Sequence, residues 1–309
     1  MGSGFPATAG EVVLRYVTQH AGRLHAQADR VRAGDPTAVH EIRISARRLR
    51  SALTTYSSLF EPGAVDALRE ELRWLGAVLS EARDAQVMRE RLDALLAHEP
   101  PGLVVGPVLD RIDHELMQTF EAGRAHGLAA LDSARFTRLM SALDEFASSP
   151  PLLAAASDPA EEALPKLLDH EIGVVADRVH DLEEAIEPDQ RDLALHEVRK
   201  KAKRLRYAAE SAQPALGKPA RRLVKWATTL QTELGLHQDA VVARQKLTGY
   251  AAQARLQGES GFTFGRLHAL EEARADQAEL AFRLAWGQPP RSARRKARSR
   301  RRRPRPDGE

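Results

Sequence analysis

His40-Glu41-Ile42-Arg43-Ile44-Ser45-Ala46-Arg47-Arg48-Leu49-Arg50-Ser51-Ala52 returns 156 residues later as HEVRKKAKRLRYA, from His196 to Ala208. Eight of the thirteen positions are identical, and Arg47 becomes Lys203. On a helix, at about 100° per residue, His40, Arg43, Arg47 and Arg50 fall within about 80° of arc, and so do His196, Arg199, Lys203 and Arg206. Ile42, Ala46, Leu49 and Leu53 form a separate stripe of the kind a bundle helix buries. The basic row therefore lies beside the core face and not opposite it. Arg48, Arg204, Lys200 and Lys201 point elsewhere and read as solvated charge.

A single Arg-rich helix is most simply a soluble surface. Its repetition in register argues for more, because surface charges on duplicated segments have no physical reason to keep one arc, whereas two rows facing a common anion do. Arginine offers a planar fork to phosphate oxygens. Successive row residues rise about 5 to 6 Å, a reasonable pitch for following a phosphate chain. The row residues are donors or cations, apart from the two histidines, which titrate near neutrality. A polyanion bound beside them should raise their pKa values, so His40 and His196 are expected to make binding stronger as pH falls.

The two His-Glu-x-Arg-x-x-x-[Arg/Lys]-Arg-Leu-Arg segments resemble the signature of the CHAD family, the conserved-histidine α-helical domain. Leu79-Ser80-Glu81-Ala82-Arg83-Asp84 is similar to that family's LGxxRD, with Ser80 in place of its Gly, and Leu234-Gly235-Leu236-His237-Gln238-Asp239 is similar to its later LGxxxD. The resemblance runs from about Glu11 to Trp286. It implies non-catalytic binding of inorganic polyphosphate, a role carried onto His40, Arg43, Arg47, Arg50, His196, Arg199, Lys203 and Arg206. Arg73, Arg83, Arg222 and Lys225 are second-rank additions, and for Arg83 a salt bridge to a neighbouring helix fits equally well. A cytoplasmic protein associated with polyphosphate granules is the implied setting.

Composition agrees with a helical protein. Of 309 residues, 43% are hydrophobic and only 5% aromatic, which suits a Leu, Ala and Val core, and the absence of cysteine excludes disulfides, thiolate metal sites and a Cys nucleophile. No run approaches the 18 apolar residues of a membrane span, and the opening MGSGFPATAG lacks the pattern of a signal peptide. Residues 291–309 hold ten of the 46 basic side chains and two of the 43 acidic ones, so residues 1–290 carry a net charge of −5. The basic residues of that acidic body must be spatially segregated if it binds an anion.

Few stretches alternate as strands do, and the expected fold class is all-α. Two pseudo-symmetric helical-bundle halves from an internal duplication are expected to enclose a basic groove or pore. Residues 1–10 form an N-terminal segment, 11–148 the first repeat, 149–159 a Pro- and Ala-rich linker, 160–286 the second repeat, and 287–309 a disordered basic tail. Thr8 to Glu11 has the spacing of a capping box. Asp35 and Pro36 suit the N-cap and first position of the helix that carries the first basic row. That helix is expected to end near Phe60, followed by helices over about 64–79, 84–97, 108–129 and 133–148. In the second half helices are expected over about 160–186, 189–212, 219–234, 238–257 and 264–286, with breaks at Pro188 and Pro214 and a gap at 235–237 that holds Gly235.

The histidines invite a metal reading, but each copy has one His with an adjacent Glu about 100° round the helix, which is not ligand spacing. No nucleophile-base arrangement and no GxxxxGK[ST] loop appears, so neither catalysis nor a cofactor is expected. The alternative function is nucleic-acid binding through the rows and the Arg-rich tail, which alone reads as a nonspecific phosphate tether. The sequence sets no oligomeric state.

Overall fold

The computed structural model describes residues 7–33, 35 and 37–299, and the described residues form an all-α fold. The chain runs α1 (Ala9–Arg32), α2 (Ala38–Thr55), α3 (Asp66–Val78), α4 (Ser80–Leu96), α5 (Val108–Leu131), α6 (Ala134–Ser148), α7 (Ala160–Glu184), α8 (Pro188–Leu216), α9 (Lys218–Leu256), α10 (Phe262–Trp286) and the short α11 (Arg294–Ser299). Three single-turn 3₁₀ segments lie between them.

Local chemistry explains several starts. The Thr8 hydroxyl accepts from the Glu11 N–H at 3.2 Å while the Glu11 carboxylate accepts from the Thr8 N–H at 2.9 Å, which closes the capping box. The Ser133 hydroxyl caps α6 by accepting from the Phe136 N–H. Asp35 accepts from the N–H and hydroxyl of Thr37 just ahead of α2, whereas the first-position reading of Pro36 lies outside the described residues.

Three expected helix boundaries are shifted or absent. The Ser80 hydroxyl donates to the Gly76 carbonyl one turn back, and α4 begins at Ser80, leaving only Leu79 between it and α3. Pro214 lies within the last turn of α8, where its missing N–H removes one bond without ending the helix, which stops at Gly217 with φ 57°. Gly235 does not divide α9. It lies under Arg199 of α8, with the guanidinium 3.6 Å from where a β-carbon would stand, so the residue marks a helix-to-side-chain contact and not a turn.

The apolar stripe of α2 is buried as the periodicity requires, with Ile42, Leu49 and Leu53 at 0% exposure. Truncating Leu49 to alanine should cost about 2–5 kcal/mol. The core does not follow the sequence repeat. One cluster joins α1, α2, α3, α6, α7, α8 and the first half of α9, and a second joins α4, α5, the later half of α9 and the start of α10. Residues 149–159 are likewise more than a linker. Their backbone bonds Leu59, Glu61 and Ala9, and Ala7 bonds Ala160, which ties the start of α1 to the start of α7. Gly123 of α5 crosses the first turn of α4 so closely that a β-carbon would stand 2.6 Å from the Ala82 nitrogen.

The basic tail departs from expectation at its beginning. Ala293 and Ala297, one turn apart, are buried in the main core, and α11 packs on α7. Residues 300–309, the rest of the stretch expected to be disordered, lie outside the described residues. Among the described helices none is long and apolar enough to cross a membrane.

Candidate anion-binding site

Helices α2 and α8 pack on one another. Tyr56 of α2 donates to the Ala208 carbonyl at 2.8 Å and accepts from the Ser211 hydroxyl at 2.9 Å, and Arg48 pairs with Glu210 at 3.2 Å across the same contact. Beside their contact lies a cavity of about 490 Å³, bounded by Arg43, Arg47 and Arg50 of α2, Arg73 of α3, Asp84 and Arg91 of α4, Arg199 and Lys203 of α8, and Gln238 and Asp239 of α9. Seven cations face two carboxylates across this wall.

The cations divide by partner. Arg43 donates to Asp84 at 2.9 Å and to the Ser80 hydroxyl at 3.2 Å. Arg91 is held by Glu271, whose side chain is fully buried, and Arg73 by Glu70 one turn earlier on α3. Arg47, Arg50, Arg199 and Lys203 make no ion pair with any described residue. The Arg199 Nε is buried without a hydrogen-bond partner among the described residues.

Burial of cations that have no ion-pair partner should disfavour their charged forms, and Lys203, Arg47 and Arg50 show it. Burial, reinforced by Arg199, Arg47, Arg50 and Arg206, pushes the Lys203 ammonium down to about 7. Burial also lowers Arg47 and Arg50, with neighbouring cations adding to the effect. On the opposite wall, burial raises the Asp239 carboxyl against the pull of Arg199 and Arg91. Such a cluster costs the fold free energy and is relieved by an anion, the usual signature of a functional site and not of a stabilising network.

The other row residues lie outside the cavity wall. Arg206 stacks on the Tyr207 ring, 4.7 Å from its centroid, and pairs with Glu210 at 3.2 Å. His40 is exposed near Arg83, and burial, with Arg83 adding, lowers its pKa. The His196 Nδ1–H donates to Gln238 Oε1 at 2.5 Å; its pKa is lowered chiefly by burial despite that bond. His196 thus positions a residue of the wall. Arg83 lies 3.9 Å from Glu90 on its own helix, while Arg222 and Lys225 are exposed on α9 away from the cavity.

The reading of Arg48 and Arg204 as solvated charge is corrected. Arg48 pairs with Glu210 at 3.2 Å, and Arg204 pairs at 2.6 Å with Glu171, whose side chain is 3% exposed. They face interhelical seams, where an arginine must find a carboxylate. Arg91, Gln238 and Asp239 were missed as wall residues. Asp84 and Asp239 end the two short motifs of the sequence, a signal for their positions but not for their partners.

Comparison with known proteins places the chain in a family. The CHAD domain family model matches residues 15–248, and the chain belongs to the CHAD family. It is 34% identical over 277 residues to Uncharacterized protein MT2285 of Mycobacterium tuberculosis strain CDC 1551 and equally to Uncharacterized protein Rv2226 of strain H37Rv. Those matches cover 89% of this chain and 52% of each relative, so the chain spans about half the length of these curated relatives. Among solved structures, PptA from Streptomyces chartreusis aligns with TM-score 0.76 at 25% identity, over 91% of this chain and all of that one. The CHAD domain from the plant Ricinus communis aligns with TM-score 0.70 at 25% identity, over 92% of this chain and 93% of that one.

Proposed function

We propose that this protein binds inorganic polyphosphate in the cavity between α2, α4 and α8, without catalysing a reaction on it. The observation that carries the reading is the set of four cations, Arg47, Arg50, Arg199 and Lys203, facing one cavity with no carboxylate partner among the described residues. A linear chain of phosphates supplies a charge at every unit and needs no recognition beyond forked donors. The wall carries no aromatic side chain on which a base could stack, which favours a bare phosphate chain over single-stranded nucleic acid. The reading needs no cofactor and assigns no catalytic residue. It is consistent with a cytoplasmic protein at polyphosphate granules.

Titration with polyphosphate and with single-stranded DNA of equal phosphate number tests it: polyphosphate should bind at least about tenfold more tightly at equal salt. The Arg-rich residues after Ser299 favour a second, weaker activity toward nucleic acid. A chain ending at Ser299 keeps Ala293 and Ala297 docked on α7, and should retain polyphosphate affinity while losing most DNA binding. Loss of polyphosphate binding in that chain would move the site to the tail.

We assign the pH dependence of binding to Lys203 in place of the histidines expected from the sequence. In the free protein Lys203 titrates at about 7, and a bound polyanion favours the ammonium, so its pKa rises in the complex. Between those two values the complex holds more protons than the free protein, so affinity is full below about pH 7 and falls as pH rises. A loss on the order of tenfold is expected between about pH 6.5 and pH 8.5. Lys203→Arg should flatten this profile, because arginine stays charged, whereas His40→Gln with His196→Gln should leave it in place. A profile abolished by the histidine changes and untouched by Lys203→Arg would reverse the assignment.

A further inference from the structure

We infer that Lys203 is a site of covalent acylation by small acyl phosphates. The inference rests on the proposed anion-binding reading of the cavity, and adds a reaction to it. Lys203 is the one lysine of the cavity wall, set among Arg47, Arg50 and Arg199 and without an acidic partner among the described residues. Lys200 and Lys246 are instead ion-paired to Glu197 and Glu115, and Lys225 is exposed on α9, away from the wall. A cavity of about 490 Å³ has room for a reagent as small as acetyl phosphate. The arginines that hold its phosphoryl end leave its acyl carbon beside the only amine present.

Burial and the cationic neighbours also make that amine reactive. A lysine whose ammonium is disfavoured by burial and by other cations is a nucleophile at neutral pH, and Lys203 titrates at about 7 in the free protein; a bound acyl phosphate, with fewer charges than a polyphosphate chain, favours the ammonium less, so a neutral fraction remains. The neutral amine attacks the acyl carbon. A C–N bond forms, and the bond from that carbon to the phosphate oxygen breaks. The bonding electrons leave with inorganic phosphate, and the surplus amine proton goes to phosphate or water. Nothing is oxidised or reduced. The amide product is uncharged and bulkier, so acylation should weaken polyanion binding at the same site.

The test treats the full-length protein with acetyl phosphate at about pH 7.5 and follows each lysine by peptide mass spectrometry. Acetylation of Lys203 should run roughly tenfold or more ahead of Lys200, Lys201, Lys225 and Lys246. Arg47→Ala should slow it, tripolyphosphate should protect it, and an uncharged reagent, the N-hydroxysuccinimide ester of acetic acid, should show less preference. Polyphosphate binding is measured on the same sample. If the protein binds polyphosphate and Lys203 is acetylated no faster than exposed lysines, the acylation proposal is overturned and the binding reading stands. If Lys203 reacts fastest and yet polyphosphate neither binds nor protects, the binding reading fails. An equal preference with the uncharged ester overturns recruitment through the phosphoryl group.

Discussion

Arg47→Ala combined with Arg199→Ala should lower polyphosphate affinity by roughly 10²- to 10⁴-fold. Each residue offers an ionised donor to a phosphate oxygen, and hydrogen bonds to charged groups contribute about 1.5–3 kcal/mol apiece. Two lost contacts amount to about 3–6 kcal/mol, at about 1.4 kcal/mol per tenfold change. The slope of log affinity against log salt should fall by about one for each phosphate contact removed. Neither residue makes an ion pair with a described residue, so the same change should leave thermal stability level or raised. Arg222→Ala with Lys225→Ala, on the exposed face of α9, is the matched control and should cost less than about threefold. Equal losses in the two double variants would indicate diffuse attraction to a basic surface and refute a defined cavity site.

Glu171→Ala should destabilise the protein by about 3–5 kcal/mol, read from the midpoint of chemical denaturation. The Glu171 side chain is 3% exposed, accepts from Arg204 at 2.6 Å and from the Thr55 hydroxyl at 3.2 Å, and so links α7 to α8 and α2. Its removal strands the Arg204 guanidinium in a seam between helices. Breaking one half of a buried pair costs far more than the pair contributes, because the remaining charge has little water and no partner. Exchanging both partners for apolar residues, Glu171→Leu with Arg204→Met, should therefore recover most of the loss. The pair of Arg32 with Asp29, 44% and 82% exposed, sets the contrast, and Asp29→Ala should change stability by less than about 1 kcal/mol. A small effect of Glu171→Ala would mean that water reaches the seam.

What the sequence reveals of this protein follows the range of the forces involved. The Thr8 to Glu11 box and the Ser133 cap are legible because both partners lie within four residues. The apolar stripe through Ile42, Leu49 and Leu53 is legible because its period needs no knowledge of what it packs against. Arg43, Arg47, Arg50, Arg199 and Lys203 stand out through repetition, and the structure brings these five to one cavity. Arg91 and Asp239 carry no such mark, since they reach the wall only through the packing of α4 and α9. Arg206 shows the opposite failure: it shares the arc of its row, but Tyr207 and Glu210 beside it claim its guanidinium. Helix boundaries failed where local punctuation met tertiary packing, at Ser80, Pro214 and Gly235. The histidines are legible by type, whereas the depressed Lys203 ammonium is not, because its environment is built by two helices far apart in sequence.

A crystal structure of the protein with a short linear polyphosphate tests the central claim most directly. The claim predicts phosphate oxygens within hydrogen-bonding distance of Arg47, Arg199 and Lys203, in the cavity between α2, α4 and α8. Polyphosphate seated instead on the exposed face of α9 at Arg222 and Lys225, with that cavity holding only solvent, would contradict it.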